Sequence, residues 1–135
     1  MNMLKKDQTQ DSGNPGRTVF VVDDNDLVRE MVCFILESEG LRVINADGPV
    51  RALELIERFE TPPDLMICDI RMPVMTGPEL YQMVEQRFPE QPVLFITAYP
   101  DEYLEQGSTV VTEQRLLRKP FGSAELVERV GLLLG

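Results

Sequence analysis

From Thr18 onward, short apolar runs rich in β-branched residues alternate with segments whose apolar positions recur at helical spacing. That alternation calls for βαβ units and a parallel sheet. Thr18-Val19-Phe20-Val21-Val22 predicts a first strand buried on both faces, stopped by Asp23-Asp24-Asn25-Asp26, which can cap a helix. The helix that follows carries Leu27, Met31, Phe34, Ile35 and Ser38 on one face and ends at Gly40. Leu41 to Ala46 form a second strand, and Val50 to Phe59 a second helix with Ala52, Leu55, Ile56 and Phe59 inward, broken by Thr61-Pro62-Pro63. Asp64 to Asp69 make a third strand. Pro78 fits the first turn of a third helix striped by Leu80, Met83, Val84 and Phe88. Pro92 to Thr97 and Arg115 to Arg118 supply two more strands, and Leu126, Val127, Val130, Leu133 and Leu134 line a closing helix over Ser123 to Leu134. Between them a helix over Asp101 to Gln106 is expected to be short, because Gly107-Ser108-Thr109-Val110-Val111-Thr112 is glycine- and β-branched-rich. The whole reads as an α/β domain of five strands and five helices, (βα)5, with a short or irregular fourth helix.

Residues 1–17 are polar and end in a string of turn formers, which predicts a flexible N-terminal tail ahead of one domain over 18–135. A chain of 135 residues builds one core, and 43% hydrophobic with 27% charged residues suits an ordinary globular domain. The formal net charge of −10 repels phosphate backbones and anionic bilayers, so neither nucleic acid nor membrane is an expected partner. The start has no apolar run behind its basic pair, so no secretory signal is read there. Cys33 and Cys68 lie in no metal-binding spacing and suit reduced, packed thiols of a cytoplasmic protein. The absence of histidine removes the commonest general base and the commonest transition-metal ligand.

In an open parallel sheet, ligands gather beyond the carboxyl ends of the strands. Asp23 and Asp24 close the first strand, Asp69 the third, Thr97 the fourth and Lys119 the fifth. Taken singly, each has an ordinary explanation as a helix cap, a strand end or a solvated charge. Their joint placement overturns those defaults. Carboxylates crowded together either take up protons or hold a cation, and an oxygen-only cluster suits Mg²⁺ better than zinc. A cation there would orient Asp69 for in-line attack on phosphorus. Lys119 could pair with the phosphate formed, and the Thr97 hydroxyl could donate a hydrogen bond to it. The added charge would rearrange nearby loops, a switch by population shift.

The segments Val21-Val22-Asp23-Asp24, Asp69 to Gly77, Thr97-Ala98 and Lys119-Pro120-Phe121 resemble the signature segments of the response-regulator receiver family of two-component signalling, the CheY-like superfamily. The match covers about residues 18 to 134, and the intervals agree (69 − 23 = 46, 97 − 69 = 28, 119 − 97 = 22). The resemblance implies a flavodoxin-like, doubly wound five-stranded sheet with strand order 2-1-3-4-5. It implies phosphorylation of Asp69 by a sensor histidine kinase or histidine phosphotransfer protein. Asp24 and Asp69 would ligate Mg²⁺ with the backbone carbonyl of Arg71, Asp23 acting mostly through water, while Thr97 and Lys119 bind the phosphoryl oxygens. The Lys119-Pro120 bond would be cis. Such a domain catalyses only its own phosphorylation and dephosphorylation. It acts on a downstream effector protein or on an output domain, which the residues after Lys119 leave no room for, and it sometimes forms homodimers.

Two departures from the family pattern stand out: Leu116 occupies the usual place of an aromatic residue, and the segment from Gly107 to Gln114 is unusual. Arg71 and Tyr99 resemble positions that tune phosphate loss, and their bulk implies slow self-dephosphorylation. The alternative reading is a receiver fold that serves as a protein-interaction module without phosphorylation. A haloacid-dehalogenase-type phosphatase would need a second Asp where Arg71 stands, and a flavin carrier would need a Gly/Ser/Thr-rich loop where Asp23-Asp24-Asn25-Asp26 stands.

Overall fold

The computed structural model describes residues 16–99 and 109–135. Its strands are β1 (Thr18–Val22), β2 (Arg42–Ala46), β3 (Leu65–Asp69), β4 (Val93–Thr97) and β5 (Leu116–Arg118). Between and after them lie α1 (Asp26–Ser38), α2 (Pro49–Arg58), α3 (Gly77–Arg87) and α4 (Ser123–Leu134), with a 3₁₀ turn at Glu113–Arg115. All pairings are parallel and the sheet order is β2-β1-β3-β4-β5, the expected 2-1-3-4-5. The helix expected over Asp101 to Gln106 lies outside the described residues.

The three central strands are buried on both faces, as their unbroken apolar runs require. Phe20, Val22, Met66, Cys68 and Phe95 point to the layer of α2 and α3, where Ala52, Ile56, Leu80, Tyr81 and Val84 meet them. Val19, Val21, Ile67, Leu94 and Ile96 point to the layer of α1 and α4, against Val32, Leu36, Leu126 and Val130. The helix starts are chemically specified. Asn25 caps α1 by accepting the Val28 amide at 3.1 Å. At α3, Thr76 and Glu79 form a reciprocal capping box, with the Thr76 amide donating to Glu79 Oε1 at 2.8 Å. The Arg17 guanidinium donates to the Leu134 carbonyl at 2.8 Å, tying the start of β1 to the end of α4.

Two helix faces differ from the sequence reading. On α1, Leu27 is 79% and Phe34 71% exposed, and Met31 is also exposed. The buried stripe is Val32 and Leu36, with Val28, Cys33 and Ile35 packed beside it. Both stripes repeat at helical period, so periodicity alone cannot choose between them. The phase is set by the Asn25 cap and by Arg29, which shares the inward face with Val32 and Leu36 and reaches back to the end of β1. On α3, Met83 faces outward and Tyr81 takes the core place. Its hydroxyl donates to the Gln91 carbonyl at 2.8 Å, and its ring meets Phe95 edge-on at 5.9 Å. A tyrosine is buried without penalty when its hydroxyl finds an acceptor.

Candidate functional site

Register brings the strand ends together. Val22 pairs with Cys68, Asp69 with Ile96 and Thr97 with Arg118, so the residues at or just past each terminus share one rim of the sheet. There Asp23, Asp24 and Asp69 each present a carboxylate oxygen, all within 4.8 Å of one another. Lys119 Nζ lies 3.5 Å from Asp69 Oδ1 and 4.0 Å from Asp23 Oδ2. Asp23, Asp69 and Thr97 are buried, and Asp24 is exposed. Thr97 Oγ1 accepts the Tyr99 amide at 3.0 Å, while the Thr97 carbonyl accepts the Lys119 amide at 2.9 Å. The Lys119-Pro120 bond is cis.

The electrostatics follow from that crowding. Burial, and then the neighbouring Asp23 charge, push the Asp69 carboxyl up from 3.8 to about 6, although Lys119 pulls the other way. Asp23 is raised as well, by burial first, against the opposing hydrogen bond from the Asn25 amide, which reaches its Oδ1 at 2.8 Å. One mobile ammonium does not neutralise three carboxylates. The donor set is all oxygen, hard and net negative, which fits a small divalent cation such as Mg²⁺. Cys68 is fully buried with its thiol pushed well above 9.0 by burial, so it packs rather than reacts.

The loop after Asp69 folds tightly back over the strand end. The Gly77 amide donates to the Ile70 carbonyl at 2.8 Å, and a Cβ at Gly77 would sit 2.5 Å from the Asp69 carbonyl oxygen, so only glycine fits without a shift of backbone. Val74 in this loop has φ +79°, a left-handed conformation rare for a β-branched residue. Arg71 belongs to the same loop. Its guanidinium carbon stands 4.4 Å from the centroid of the Tyr99 ring, a cation–π pair on the rim of the site. Leu116 is wholly buried in the core beside Tyr81 and Phe95.

Asp23, Asp24, Asp69 and Lys119, all singled out from the sequence, thus meet in one cluster, and Thr97 ends the adjoining strand. Sequence reasoning missed Arg29, which donates from Nη1 to the Asp23 carbonyl at 2.8 Å and from Nη2 to Asp26 Oδ1 at 2.6 Å. Its place on the same helical face as the apolar Val32 and Leu36 was the available signal.

Similarity to known proteins identifies the class to which this fold belongs. Residues 19–131 match the model of the response regulator receiver domain. The chain is 38% identical over 120 residues to the sensor histidine kinase TmoS of Ectopseudomonas mendocina, covering 86% of this chain but 12% of that protein. It is 32% identical over 118 residues to the response regulator receiver protein CpdR of Brucella abortus, covering 87% of this chain and 96% of that one. The crystal structure of chemotaxis protein CheY4 of Vibrio cholerae superposes with a TM-score of 0.76 at 29% identity, covering 87% and 98% of the two chains. The chain belongs to the response regulator receiver domain family of two-component systems. Among the described residues no helix is long and apolar enough to cross a membrane.

Proposed function

We propose that this receiver domain accepts a phosphoryl group on Asp69 in a Mg²⁺-dependent reaction, and that the change in charge switches its binding to a partner. The supporting observation is the convergence of three carboxylate oxygens within 4.8 Å, with a lysine ammonium 3.5 Å from one of them. Asp24, Asp69 and the Arg71 carbonyl would hold the metal, and Asp23 would assist through water. When bound, the metal supplies positive charge that offsets the phosphoryl oxygens.

An Asp69 carboxylate oxygen attacks phosphorus in line. The new O–P bond forms as the donor's P–N bond breaks, and the imidazole leaves with the electron pair. Lys119 exchanges its contact with Asp69 for a phosphoryl oxygen, and the Thr97 hydroxyl donates to another. Reversal by water is controlled at the rim, where the stacked Arg71 and Tyr99 side chains narrow the approach and slow self-dephosphorylation. The domain acts on its own aspartate and on no other substrate.

The phosphodonor is a histidine kinase or histidine phosphotransfer protein in the cytoplasm, and the output is an effector protein or a separate output domain. The exposed stripe Leu27, Met31 and Phe34 starts beside Asp24 and is flanked by exposed Asp26, Glu30 and Glu37. It suits an apolar helix with basic margins on that donor. One observation favours a second reading, an interaction module that works without phosphorylation: the buried Leu116 offers no ring to report the state of Thr97.

Beryllofluoride with Mg²⁺, followed by amide chemical shifts, separates the two. Shifts centred on Asp69, Thr97 and Lys119 are expected, together with a phosphoryl mass increment from acetyl phosphate that Asp69→Asn lacks. Silence in both assays would favour the interaction module.

A further inference from the structure

Two adjacent carboxylates at the end of β1 must be delivered to a third against mutual repulsion, and the turn that carries them is only Asp23 to Asn25. Its backbone is unusually well held. The Asp23 amide donates to the Ala46 carbonyl at 3.3 Å, and the Asp23 carboxylate accepts the Asn25 amide. The Asp23 carbonyl accepts Arg29 Nη1. The second nitrogen of the same fork takes Asp26, the last acid of the run. The Arg29 side chain is 13% exposed.

We propose that Arg29 is a positioning residue for the cation site: it locks the Asp23-Asp24 turn and withholds the Asp26 carboxylate from the ligand set. The contrast with Lys119 is instructive. Lys119 contacts the very oxygens a cation would need and must give way to it. Arg29 holds a carbonyl and an outlying carboxylate, so its bonds persist when the site is filled. The planar fork matters because both contacts must be made at once, which a point-charge ammonium on a flexible stem does poorly.

Withholding Asp26 also sets selectivity. Ca²⁺ takes six to eight oxygens in adaptable geometry, whereas Mg²⁺ is satisfied by one or two carboxylates, waters and phosphate oxygens. A turn freed to swing Asp26 inward would gain ligands useful to Ca²⁺ and surplus to Mg²⁺. Arg29 thus holds the site at the lower ligand count.

This inference rests on the Mg²⁺ site proposed above, and the experiment separates the two. Mg²⁺ and Ca²⁺ dissociation constants are measured on the full chain by amide chemical-shift titration, for wild type, Arg29→Gln and Arg29→Lys, with thermal midpoints in EDTA alongside. Outer partners of metal ligands typically contribute about 10- to 100-fold in affinity. Arg29→Gln is expected to weaken Mg²⁺ by at least about 10-fold on that scale, to weaken Ca²⁺ less, and so to lower the Mg²⁺ preference. Arg29→Lys, which keeps the charge, is expected to fall between. A variant that melts earlier in EDTA yet binds both ions as wild type does would reduce Arg29 to a structural residue and overturn the proposal. So would wild-type affinities in Arg29→Lys, because charge alone would then suffice. Wild-type protein that ignores Mg²⁺ would defeat the site itself.

Discussion

Replacing Asp69 by asparagine should stabilise the metal-free protein. The carboxyl titrates at about 6 in the fold against 3.8 for an ordinary aspartate, chiefly because it is buried and faces Asp23. With a raised folded value, the native state holds its proton more tightly than the unfolded chain. The resulting stability is fully present below 3.8 and is lost as pH rises through about 6. The gap corresponds to roughly 3 kcal/mol on the scale of about 1.4 kcal/mol for each tenfold change in proton affinity. An amide of the same shape carries no such charge, although it forfeits the ion pair with Lys119 at 3.5 Å. The expected gain at pH 7.5 is therefore about 1 to 3 kcal/mol, which for a domain of this size raises the thermal midpoint by roughly 4 to 12 °C. Urea and thermal unfolding of both proteins, in EDTA and in Mg²⁺, at pH 7.5 and at pH 4.5, check it. The variant's advantage should shrink as pH falls, and Mg²⁺ should stabilise wild type by mass action more than it stabilises the variant. If Asp69→Asn is no more stable than wild type at pH 7.5 in EDTA, the carboxylates are not in conflict and the electrostatic reasoning fails.

Val74→Asn should stabilise the fold by about 1 kcal/mol, since asparagine tolerates the left-handed backbone that a β-branched residue resists; an unchanged urea midpoint would show that the loop is not strained there. Gly77→Ala forces a methyl carbon against the Asp69 carbonyl and should cost about 2 kcal/mol or more in urea unfolding, while slowing phosphorylation by acetyl phosphate. Arg71→Ala removes the stack on Tyr99 and should hasten phosphate loss several-fold in a release time course; equal rates would acquit the pair. Phe34→Glu, on the exposed stripe of α1, should leave stability within about 0.5 kcal/mol and the acetyl phosphate reaction unchanged, yet slow phosphotransfer from a cognate donor. Transfer at the wild-type rate would place the donor elsewhere.

The strands were legible because burial on both faces leaves no room for polar residues. A run such as Leu65 to Cys68 therefore admits a single reading, and its end is marked by the first residue that cannot be buried without a partner. The same logic exposed the site. Asp23, Asp69 and Thr97 stand where the apolar runs stop, and parallel register places those stops side by side. Helix phase was less legible. α1 carries two apolar stripes of equal period, one ending in Val32 and Leu36, the other in Met31 and Phe34, and the choice between them lies in contacts distant from the stripes themselves. Arg29 was hard to single out for the same reason, since its place on the Val32 and Leu36 face becomes a signal only once that face is known to be the inward one. A lone arginine on a helix reads as solvated until the turn it grips is known.

That difficulty has a functional cause. A sequence optimised only for folding would not leave Leu27, Met31 and Phe34 facing water beside an acidic rim, nor place three carboxylates within reach of one another, nor hold a valine at φ +79°. Each violates a local rule. All belong to the β1–α1 and β3–α3 connections or the helix that opens from them, at the carboxyl end of the sheet. The opposite end has departures of its own, Glu90 at φ +63° and the buried Gln91 Oε1 without a hydrogen-bond partner among the described residues. What sets the conflicts at the carboxyl end apart is that a ligand could relieve them: a cation and a phosphoryl group would offset the charge, and a docking helix would cover the apolar stripe. The prediction on Asp69 tests the first of these reliefs and the prediction on Phe34 the second. If both fail, the conflicts at this pole have no common cause.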